Sequence, residues 1–309
     1  MQRPMSEIVV LHDKIHGLDP EEYANTIREA HPDLSVVIAR TPSEEKKYLA
    51  KATIATGYQI NEELVASSES LELFACTFAG IGHLPLEALE EAGVAVTNAS
   101  GVHGPNVSEQ VMGYVLSDVR NLRRAWEQNE RGEWNHFQGG ELRGSTATVV
   151  GMGPIGREIL ARFNDFGVET IGVRYTPDKG GNADEIVGFE GTLDAAARTD
   201  YLVLACPLTE TTEGLIDDEV FNALSTDAML VNIARGPVVK TDALVAALRG
   251  NDIRSAALDV TDPEPLPVDH PLWKLTNCLV TPHNAGHTPE YWNRCTEILS
   301  DAVEETSIG

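Results

Sequence analysis

Apolar residues recur in short runs along the chain, and stretches with helical spacing separate most of these runs. The predicted strands cover residues 8–12, 34–40, 52–57, 71–76 and 94–98, then 146–151, 169–174, 185–189, 201–206, 229–234, 255–260 and 278–283. Apolar strands that alternate with helices are typical of parallel sheets, whose two faces are both covered. The pattern therefore predicts an α/β chain with two open parallel sheets.

Local signals mark where several helices begin and end. Asp19 followed by Pro20 predicts a helix start, because Asp caps free N–H groups and Pro suits the first helical position. Gly93 predicts the end of the helix before the fifth strand. Residues 105–125 carry apolar positions at near-helical spacing and are expected to form one long helix. The last helix is expected within residues 288–306.

Composition narrows the class of protein. The 309 residues suffice for two domains, and 42% hydrophobic with 23% charged residues is typical of a folded globular chain. The sequence contains no apolar run of transmembrane length, and its first residues lack the apolar segment of an export signal. We therefore expect a cytoplasmic protein without a membrane partner. The four widely spaced cysteines predict neither a disulfide framework nor a zinc site.

The balance of charge is unusual, with 48 acidic and 23 basic residues and a formal net charge of −25. Such a chain repels nucleic acid and anionic membranes, so neither is expected as a partner. Only seven of the basic residues are Lys. Many carboxylates with few Lys residues favour a halophilic protein, because about 1 M salt shortens the Debye length to roughly 3 Å and screens their repulsion. An acidic protein of an ordinary cytoplasm is the alternative.

A glycine-rich turn lies between a predicted strand and the helix that follows it. Gly151, Gly153 and Gly156 have the spacing of a dinucleotide-binding turn, which requires this strand–turn–helix context. The first glycine permits the tight turn, the second lets a pyrophosphate approach the backbone, and the third lets the helix pack on the strand. Together with Pro154 and Ile155, they place a helix N-terminus against the phosphates. A tight turn without a ligand is the alternative.

Arg174 stands at the end of the next strand, where an NAD-binding domain usually places Asp or Glu on the ribose hydroxyls. A carboxylate there would repel a 2′-phosphate, whereas Arg can donate two parallel hydrogen bonds to it. Tyr175 and Thr176 follow and offer a hydroxyl contact. The charge favours NADP(H), while an Arg174 that only lies in solvent would allow NAD(H) as well.

Three polar side chains follow three later strands: Arg235, Glu264 and His283. In an open parallel sheet the carboxyl ends of the strands meet at one edge, where ligands bind. We therefore expect these side chains to converge, although each of them taken singly is more often structural. His283 and His287 have a helical metal-binding spacing. Because Gly286 lies between them and the sequence offers no third ligand, no metal is predicted.

Six segments from Gly151 onward stand in a distinctive order: GMGPIG, CPLTETTEGLI, NIARGPVVKTDAL, AALDVTDPEPLP, HPLW and TPHNAGHT. Through them the chain resembles the D-isomer-specific 2-hydroxyacid dehydrogenase family. The first hundred residues match more weakly, through TFAGIG and VTNASG. The resemblance implies two Rossmann-like or flavodoxin-like domains with the active site in the cleft between them. They are a substrate domain of residues 1–98 and 284–309, and a dinucleotide-binding domain of residues 99–283.

The resemblance also implies catalytic roles. Arg235 would hold the carboxylate and carbonyl oxygen of the substrate, and His283 would exchange a proton with that oxygen as hydride moves. Glu264 would bind the other imidazole nitrogen and fix the tautomer. Backbone N–H groups near Ala79 and Gly80, in the TFAGIG loop, would bind the carboxylate of the substrate.

Further cofactor contacts follow from the same resemblance. Asp259 would bind the nicotinamide carboxamide, where His283 also lies. The remaining contacts would come from Cys206 and Pro207 at the adenine, from Ile233 and Ala234 near the nicotinamide, and from Gly286. Many family members carry Asp at the position of Arg174, so this chain departs from the family in the residue that selects the cofactor.

The expected activity is reversible reduction of a 2-oxo acid to the D-2-hydroxy acid, with NADPH preferred and NAD(H) possible. A phosphoglycerate, glyoxylate or phosphonate dehydrogenase is the alternative within the family. A dinucleotide-sensing protein, similar to the family's corepressors, is the alternative outside enzymes. The resemblance also implies a homodimer formed through the cofactor domain, including residues 105–145.

Overall fold

The computed structural model describes residues 7–12 and 19–306. The chain divides into two compact units, the first formed by Met1–Val102 with His287–Gly309 and the second by His103–Gly286. The expectation about export rests on residues 1–13, of which residues 1–6 and 13 lie outside the described residues.

The described residues contain twelve strands and eleven α-helices. The strands are β1 Glu7–Val10, β2 Ser35–Ile38, β3 Ile54–Gly57, β4 Leu73–Cys76, β5 Ala95–Asn98, β6 Thr146–Val150, β7 Glu169–Val173, β8 Glu185–Val187, β9 Tyr201–Leu204, β10 Met229–Asn232, β11 Ser255–Leu258 and β12 Cys278–Val280. The helices are α1 Pro20–Ala30, α2 Pro42–Leu49, α3 Glu62–Ala66, α4 Leu86–Glu91, α5 Gly104–Val119, α6 Leu122–Glu130, α7 Pro154–Asp165, α8 Thr192–Ala196, α9 Asp218–Ala223, α10 Thr241–Gly250 and α11 Tyr291–Glu305. All twelve predicted strands are present, most of them shorter than predicted at the carboxyl end.

In its described residues, the first unit contains a parallel sheet in the order β2–β1–β3–β4–β5. Its central strands β1, β3 and β4 are buried, as their continuous apolar runs predict, whereas the edge strands β2 and β5 are half-buried. Ile8 and Val10 belong to the core on one face, which α1 and α11 cover, whereas Val9 and Leu11 belong to the core on the other face. Asp19 caps α1 by accepting a hydrogen bond from the backbone N–H of Glu21 at 3.0 Å, as predicted.

The described part of the second unit contains a parallel sheet in the order β12–β11–β10–β9–β6–β7–β8. The chain runs outward from β6 to β7 and β8, then returns to β9 on the other side of β6. This reversal creates a topological switch point next to β6, and ligands of open parallel sheets bind at the carboxyl edge there. The predicted fold class, α/β with two open parallel sheets, is confirmed.

The predicted long helix over residues 105–125 is wrong, because two helices, α5 and α6, occupy this region. Asn121 separates them with a left-handed backbone conformation (φ 53°). Its side-chain amide supports this conformation by donating to the carbonyl of Gln138 at 3.0 Å. Apolar spacing alone did not reveal the break, since Leu122 continues the pattern beyond it.

The predicted domain boundaries differ from the division of the chain by a few residues. Residues 99–102 go with the first unit, because Ala99 and Val102 are buried in its core. Residues 284–286 go with the second unit. There the amide of Asn106 in α5 donates to the carbonyl of Ala285 at 2.5 Å.

The part of the chain that the structure describes holds no helix both long and apolar enough to cross a membrane. The cytoplasmic location stays a prediction.

Candidate active site

The glycine turn after β6 is shaped by close backbone contacts. Gly151 has φ 102°, and a Cβ on it would lie 2.6 Å from the backbone nitrogen of Cys206. A Cβ on Gly156 would lie only 1.8 Å from the carbonyl oxygen of Gly151. Both glycines are therefore required by the packing of the chain itself.

Gly153 differs from its two neighbours in the motif. Its φ of −73° suits any residue, and a Cβ on it would meet no atom of the described residues within 4 Å. The fold itself therefore gives no reason for a glycine at this position. A ligand that approaches the backbone closely does give one, because it would occupy the space that a Cβ takes.

Helix α7 begins directly after this glycine, with Gly153 as its N-cap and Pro154 as its first residue. Among the described residues no side chain caps the helix. Its first N–H groups, including those of Ile155 and Gly156, point out of the N-terminus with the positive end of the helix dipole. This turn suits the pyrophosphate of a dinucleotide.

Arg174 follows β7, beside the glycine turn. Its backbone N–H donates to the carbonyl of Val187 at 3.0 Å, and its guanidinium donates to the carbonyl of Gly180. Because a guanidinium carries five N–H donors, this bond still leaves donors for a ligand. Tyr175 and Thr176 come next and are exposed, Tyr175 to 82%. Two hydrogen bonds to backbone carbonyls thus hold Arg174. Its role in cofactor choice stays a prediction.

Cys206 and Pro207 follow β9, on the other side of the glycine turn. Cys206 is buried, and its burial raises the pKa of the thiol to about 11, so the group is neutral at pH 7. Pro207 is exposed. Its carbonyl accepts a hydrogen bond from the hydroxyl of Thr212 at 2.6 Å, which holds the loop.

Arg235 is presented by a turn after β10 that a buried asparagine shapes. Asn232 is only 1% exposed. Its side chain accepts from the N–H of Ala234 at 3.0 Å and donates to the carbonyl of Arg235 at 3.1 Å. Ile233, between them, is half-buried, and the Arg235 side chain is exposed, with Nη1 donating to the carbonyl of Ala234 at 2.6 Å. The sequence pattern alone did not single out Asn232, although a polar residue inside the apolar run MLVNIA is a usable signal.

The turn of Arg235 packs against the loop that carries Glu264. A Cβ on Gly236 would lie 2.0 Å from the carbonyl oxygen of Thr261, so these two backbones are in direct contact. The Thr261 hydroxyl donates to the carbonyl of Pro263 at 2.9 Å and orders the loop from within. The peptide bonds Asp262–Pro263 and Glu264–Pro265 are both cis.

His283 and Glu264 form a hydrogen-bonded pair. Nδ1 of His283 lies 2.6 Å from Oε1 of Glu264, and both side chains are partly exposed. Since an ionised carboxylate only accepts, His283 donates from Nδ1 and keeps Nε2 for proton exchange. The structure thus brings Glu264 and His283 together and packs the turn of Arg235 against the same loop. The convergence of the Arg235 side chain with Glu264 and His283 stays a prediction.

Asp259 lies after β11 and is 3% exposed. Its carboxylate accepts three hydrogen bonds, from the Thr281 hydroxyl at 2.5 Å and from the backbone N–H groups of Asn284 and Ala285, both at 2.9 Å. Asp259 therefore holds the loop that carries His283. Its predicted contact with the nicotinamide carboxamide stays a prediction.

The remaining predicted residues are Gly286, which follows His283 in the loop after β12, and Ala79 and Gly80, which follow β4. A Cβ on Gly286 would lie 3.6 Å from the ring of His103. In the first unit, Ala79 and Gly80 follow β4 and are exposed, and the amide of Asn98 donates to the Ala79 carbonyl at 2.6 Å. Their role in carboxylate binding stays a prediction. Within residues 7–12 and 19–306, no group of three or more His, Cys, Asp or Glu side chains is arranged to hold a metal ion.

The predicted cofactor residues of the second unit follow the order of the strands across its sheet. Arg174 follows β7, the glycine turn follows β6, Cys206 follows β9, Ile233 follows β10 and Asp259 follows β11. All of them lie at the carboxyl edge, so they form one continuous row. A dinucleotide in an extended conformation spans such a row, with its pyrophosphate at the glycine turn.

Comparison with known proteins identifies this arrangement. The family model of the D-isomer specific 2-hydroxyacid dehydrogenase NAD binding domain matches residues 112–285, more than half of the chain. The chain belongs to the D-isomer specific 2-hydroxyacid dehydrogenase family. The predicted family is confirmed, and residues 112–285 match its domain for a nicotinamide dinucleotide.

Several relatives are similar to this family member over most of its length. It is 32% identical to a D-3-phosphoglycerate dehydrogenase of Methanocaldococcus jannaschii over 96% of this chain, which spans 58% of that relative. It is 35% identical to a human glyoxylate reductase/hydroxypyruvate reductase over 73% of this chain and 70% of the relative. The solved D-isomer specific 2-hydroxyacid dehydrogenase of Xanthobacter autotrophicus Py2, in complex with NADPH and MES, has a TM-score of 0.77 and 25% identity, over 99% of this chain and 96% of that one.

Proposed function

We propose that this protein reversibly reduces small 2-oxo acids to D-2-hydroxy acids, with NADPH as the preferred cofactor. The observation that carries the proposal is the 2.6 Å hydrogen bond between His283 and Glu264, in a loop packed against the turn of Arg235. These residues lie at the same sheet edge as the glycine turn. An acid–base group, a fixed cation and a dinucleotide cradle are the parts that hydride reduction of an oxo acid requires.

Each side chain has a separate task in this proposal. Arg235 pairs its planar guanidinium with the carboxylate and carbonyl oxygen of the substrate, which orients and polarises the carbonyl. When bound, the reduced nicotinamide supplies the hydride that the carbonyl carbon receives. His283 gives the proton on Nε2 to the carbonyl oxygen, and in the reverse direction Nε2 takes the hydroxyl proton. Glu264 holds the ring by Nδ1 and stabilises the imidazolium.

The preference for NADPH rests on Arg174. Its guanidinium is held at the end of β7, where it carries positive charge beside the ribose end of the cradle. The NADPH complex of the Xanthobacter relative supports a phosphorylated cofactor in this family. NAD(H) remains a possible second cofactor in this proposal.

The proposed substrates are small 2-oxo acids. Relatives named as a phosphoglycerate dehydrogenase and as a glyoxylate/hydroxypyruvate reductase support this substrate class. A phosphonate substrate is the further alternative from the sequence.

Consumption of reduced nicotinamide tests the proposal. The purified protein is incubated in concentrated KCl with NADPH or NADH and a panel of glyoxylate, hydroxypyruvate, phosphohydroxypyruvate and larger 2-oxo acids. We expect turnover with at least one oxo acid, faster with NADPH, and a product of D configuration by chiral chromatography. Tight NADPH binding without turnover on any member of the panel would contradict the proposal and favour a dinucleotide sensor.

We also propose a homodimer formed through the cofactor domain. Within residues 105–145, Leu122 and Trp126 on α6 are exposed, as is Trp134, which is 90% exposed in the described chain. Large apolar side chains in solvent mark contact surfaces. Light scattering should give twice the chain mass of 33.5 kDa, and Trp126→Glu should shift the protein toward the monomer. A wild-type monomer would contradict the dimer.

A further inference from the structure

His283 has an unusual backbone conformation. Its φ is 51°, in the left-handed region that residues with a Cβ rarely adopt. Such a conformation persists only where the surroundings determine it, and it is common at functional sites. The direction of the His283 side chain depends on this conformation, so the groups that maintain it also aim the ring.

The backbone around His283 is held mainly by Asp259. The carbonyl of Asp259 accepts from the N–H of His283 at 2.8 Å. The carboxylate of the same residue accepts from the N–H groups of Asn284 and Ala285, both at 2.9 Å. One residue therefore binds three successive N–H groups, and two of these bonds depend on the orientation of its carboxylate.

Two hydroxyl groups keep that carboxylate in place. The Thr281 hydroxyl donates to Oδ1 of Asp259 at 2.5 Å, and the Tyr114 hydroxyl lies 2.6 Å from the Thr281 oxygen. Because Thr281 uses its proton toward Asp259, its oxygen accepts and Tyr114 donates. Burial raises the pKa of Tyr114, which keeps the donor proton on its hydroxyl. A directed chain thus runs from Tyr114 through Thr281 to Asp259, and charge at its end strengthens each bond.

We propose that Tyr114 and Thr281 are positioning residues for the acid–base His283. Their hydroxyls hold the Asp259 carboxylate against the N–H groups after His283, and this sets the left-handed backbone that aims the ring at Glu264 and the substrate. Tyr114 lies on α5, far from His283 along the chain, so the helix serves as the rigid support of the catalytic loop. The kinetic part of this inference rests on the proposed function, whereas its structural part does not.

Two pairs of variants test the chain of hydroxyls. Thr281→Val removes the hydroxyl at nearly constant shape, and Thr281→Ser keeps it. Tyr114→Phe removes the second hydroxyl, and Tyr201→Phe is its control. Tyr201 is a buried tyrosine of the same unit at the start of β9, with its ring 5.8 Å from the guanidinium of Arg254.

We expect Thr281→Val and Tyr114→Phe to lower kcat by about 10- to 100-fold, with the KM of the oxo acid nearly unchanged, because a ring displaced by about 1 Å transfers protons poorly. Thr281→Ser should restore most of the rate, and Tyr201→Phe should keep it. Thermal unfolding of all four variants shows whether each is folded.

A second readout does not depend on turnover. The proton on Nδ1 of His283, donated to Glu264, should give a low-field proton resonance that His283→Gln abolishes. We expect this resonance to shift in Thr281→Val and Tyr114→Phe and to stay in place in Tyr201→Phe. An unchanged resonance in folded Thr281→Val and Tyr114→Phe would overturn the proposal, whatever their activity. If the wild type shows no turnover but the resonance shifts in Thr281→Val and Tyr114→Phe, the positioning is retained and the proposed function is rejected.

Discussion

Two parts of the second unit build their sites by different physical means. The glycine turn after β6 is shaped by contact, because Gly151 and Gly156 approach each other too closely for a Cβ. The loops after β10 and β12 are shaped by hydrogen bonds, because the buried Asn232 and Asp259 bind backbone groups around Arg235 and His283. A turn shaped by contact requires that a side chain be absent at a given position, whereas loops shaped by hydrogen bonds require particular polar side chains.

The comparison also separates two functions. Substitutions in the glycine turn should change cofactor affinity or the stability of the unit, and substitutions in the loops should change turnover. Three sets of variants, taken from the largest expected effect to the smallest, test this separation, and a smaller effect of the whole chain follows them.

Arg235→Lys replaces a planar fork of donors with a single point charge at the loop after β10. We expect kcat/KM for a 2-oxo acid to fall by about 10²- to 10³-fold, because Lys cannot pair with carboxylate and carbonyl in the same way. NADPH affinity, measured by the fluorescence of the bound cofactor, should stay within a factor of about two. An equal loss of NADPH affinity would place Arg235 in the cofactor site instead.

Gly153→Ala and Gly156→Ala test the glycine turn as a matched pair. Gly156→Ala forces a Cβ to 1.8 Å from a backbone oxygen. It should destabilise the unit by about 3 kcal/mol and lower Tm by roughly 10 °C. Gly153→Ala should leave Tm unchanged and weaken NADPH binding about tenfold, or ~1.4 kcal/mol, because its Cβ meets only the cofactor. Equal Tm losses in both variants, with NADPH affinity intact in Gly153→Ala, would refute the cradle.

Arg174→Ser tests the choice of cofactor at the end of β7. The ratio of kcat/KM with NADPH to that with NADH should fall about tenfold, because the phosphate loses a charge-assisted partner. Arg198→Ser is the control, since Arg198 is an exposed arginine of the same unit that pairs with Glu185 at 2.8 Å. A ratio that changes equally in both variants would show a general effect of charge.

The acidic composition predicts a smaller effect, spread over the whole chain. Thermal unfolding should shift upward by several degrees between about 0.1 M and about 2 M KCl, because salt screens repulsion among surface carboxylates. The net charge of −25 is the basis of this expectation. A Tm that stays constant or falls over this range would favour an acidic protein of an ordinary cytoplasm.

The difference between contact and hydrogen bonding also explains which features the sequence revealed. The strands and the glycine turn were predictable, because continuous apolar runs and the spacing of the three glycines each lie within a short segment of the sequence. The break between α5 and α6 was missed, since it depends on a hydrogen bond from Asn121 to Gln138. Tyr114 was missed as a site residue for the same reason, because its partner Thr281 lies far away along the chain. Asn232 binds nearby groups, and its polar side chain inside an apolar run is a signal that the apolar pattern alone does not use. A polar residue inside an apolar run can be recognised in the sequence, but a hydrogen-bond partner that is distant along the chain is known only from the fold.

The three predicted catalytic residues could be predicted from the sequence only in part. Arg235, Glu264 and His283 follow strands of one parallel sheet, so the topology predicts their common edge. Topology alone does not predict the 2.6 Å contact of Glu264 with His283. That contact depends on the local course of two loops, and it came from the resemblance to the family.

His283→Gln tests the division between cradle and loops most directly, when NADPH binding and turnover are measured on the same preparation. We predict an NADPH affinity within a factor of about two of wild type and a loss of turnover of about 10²- to 10⁴-fold, because only proton transfer is removed. Turnover close to wild type, or a parallel loss of NADPH binding, would contradict the assignment of the acid–base role to His283.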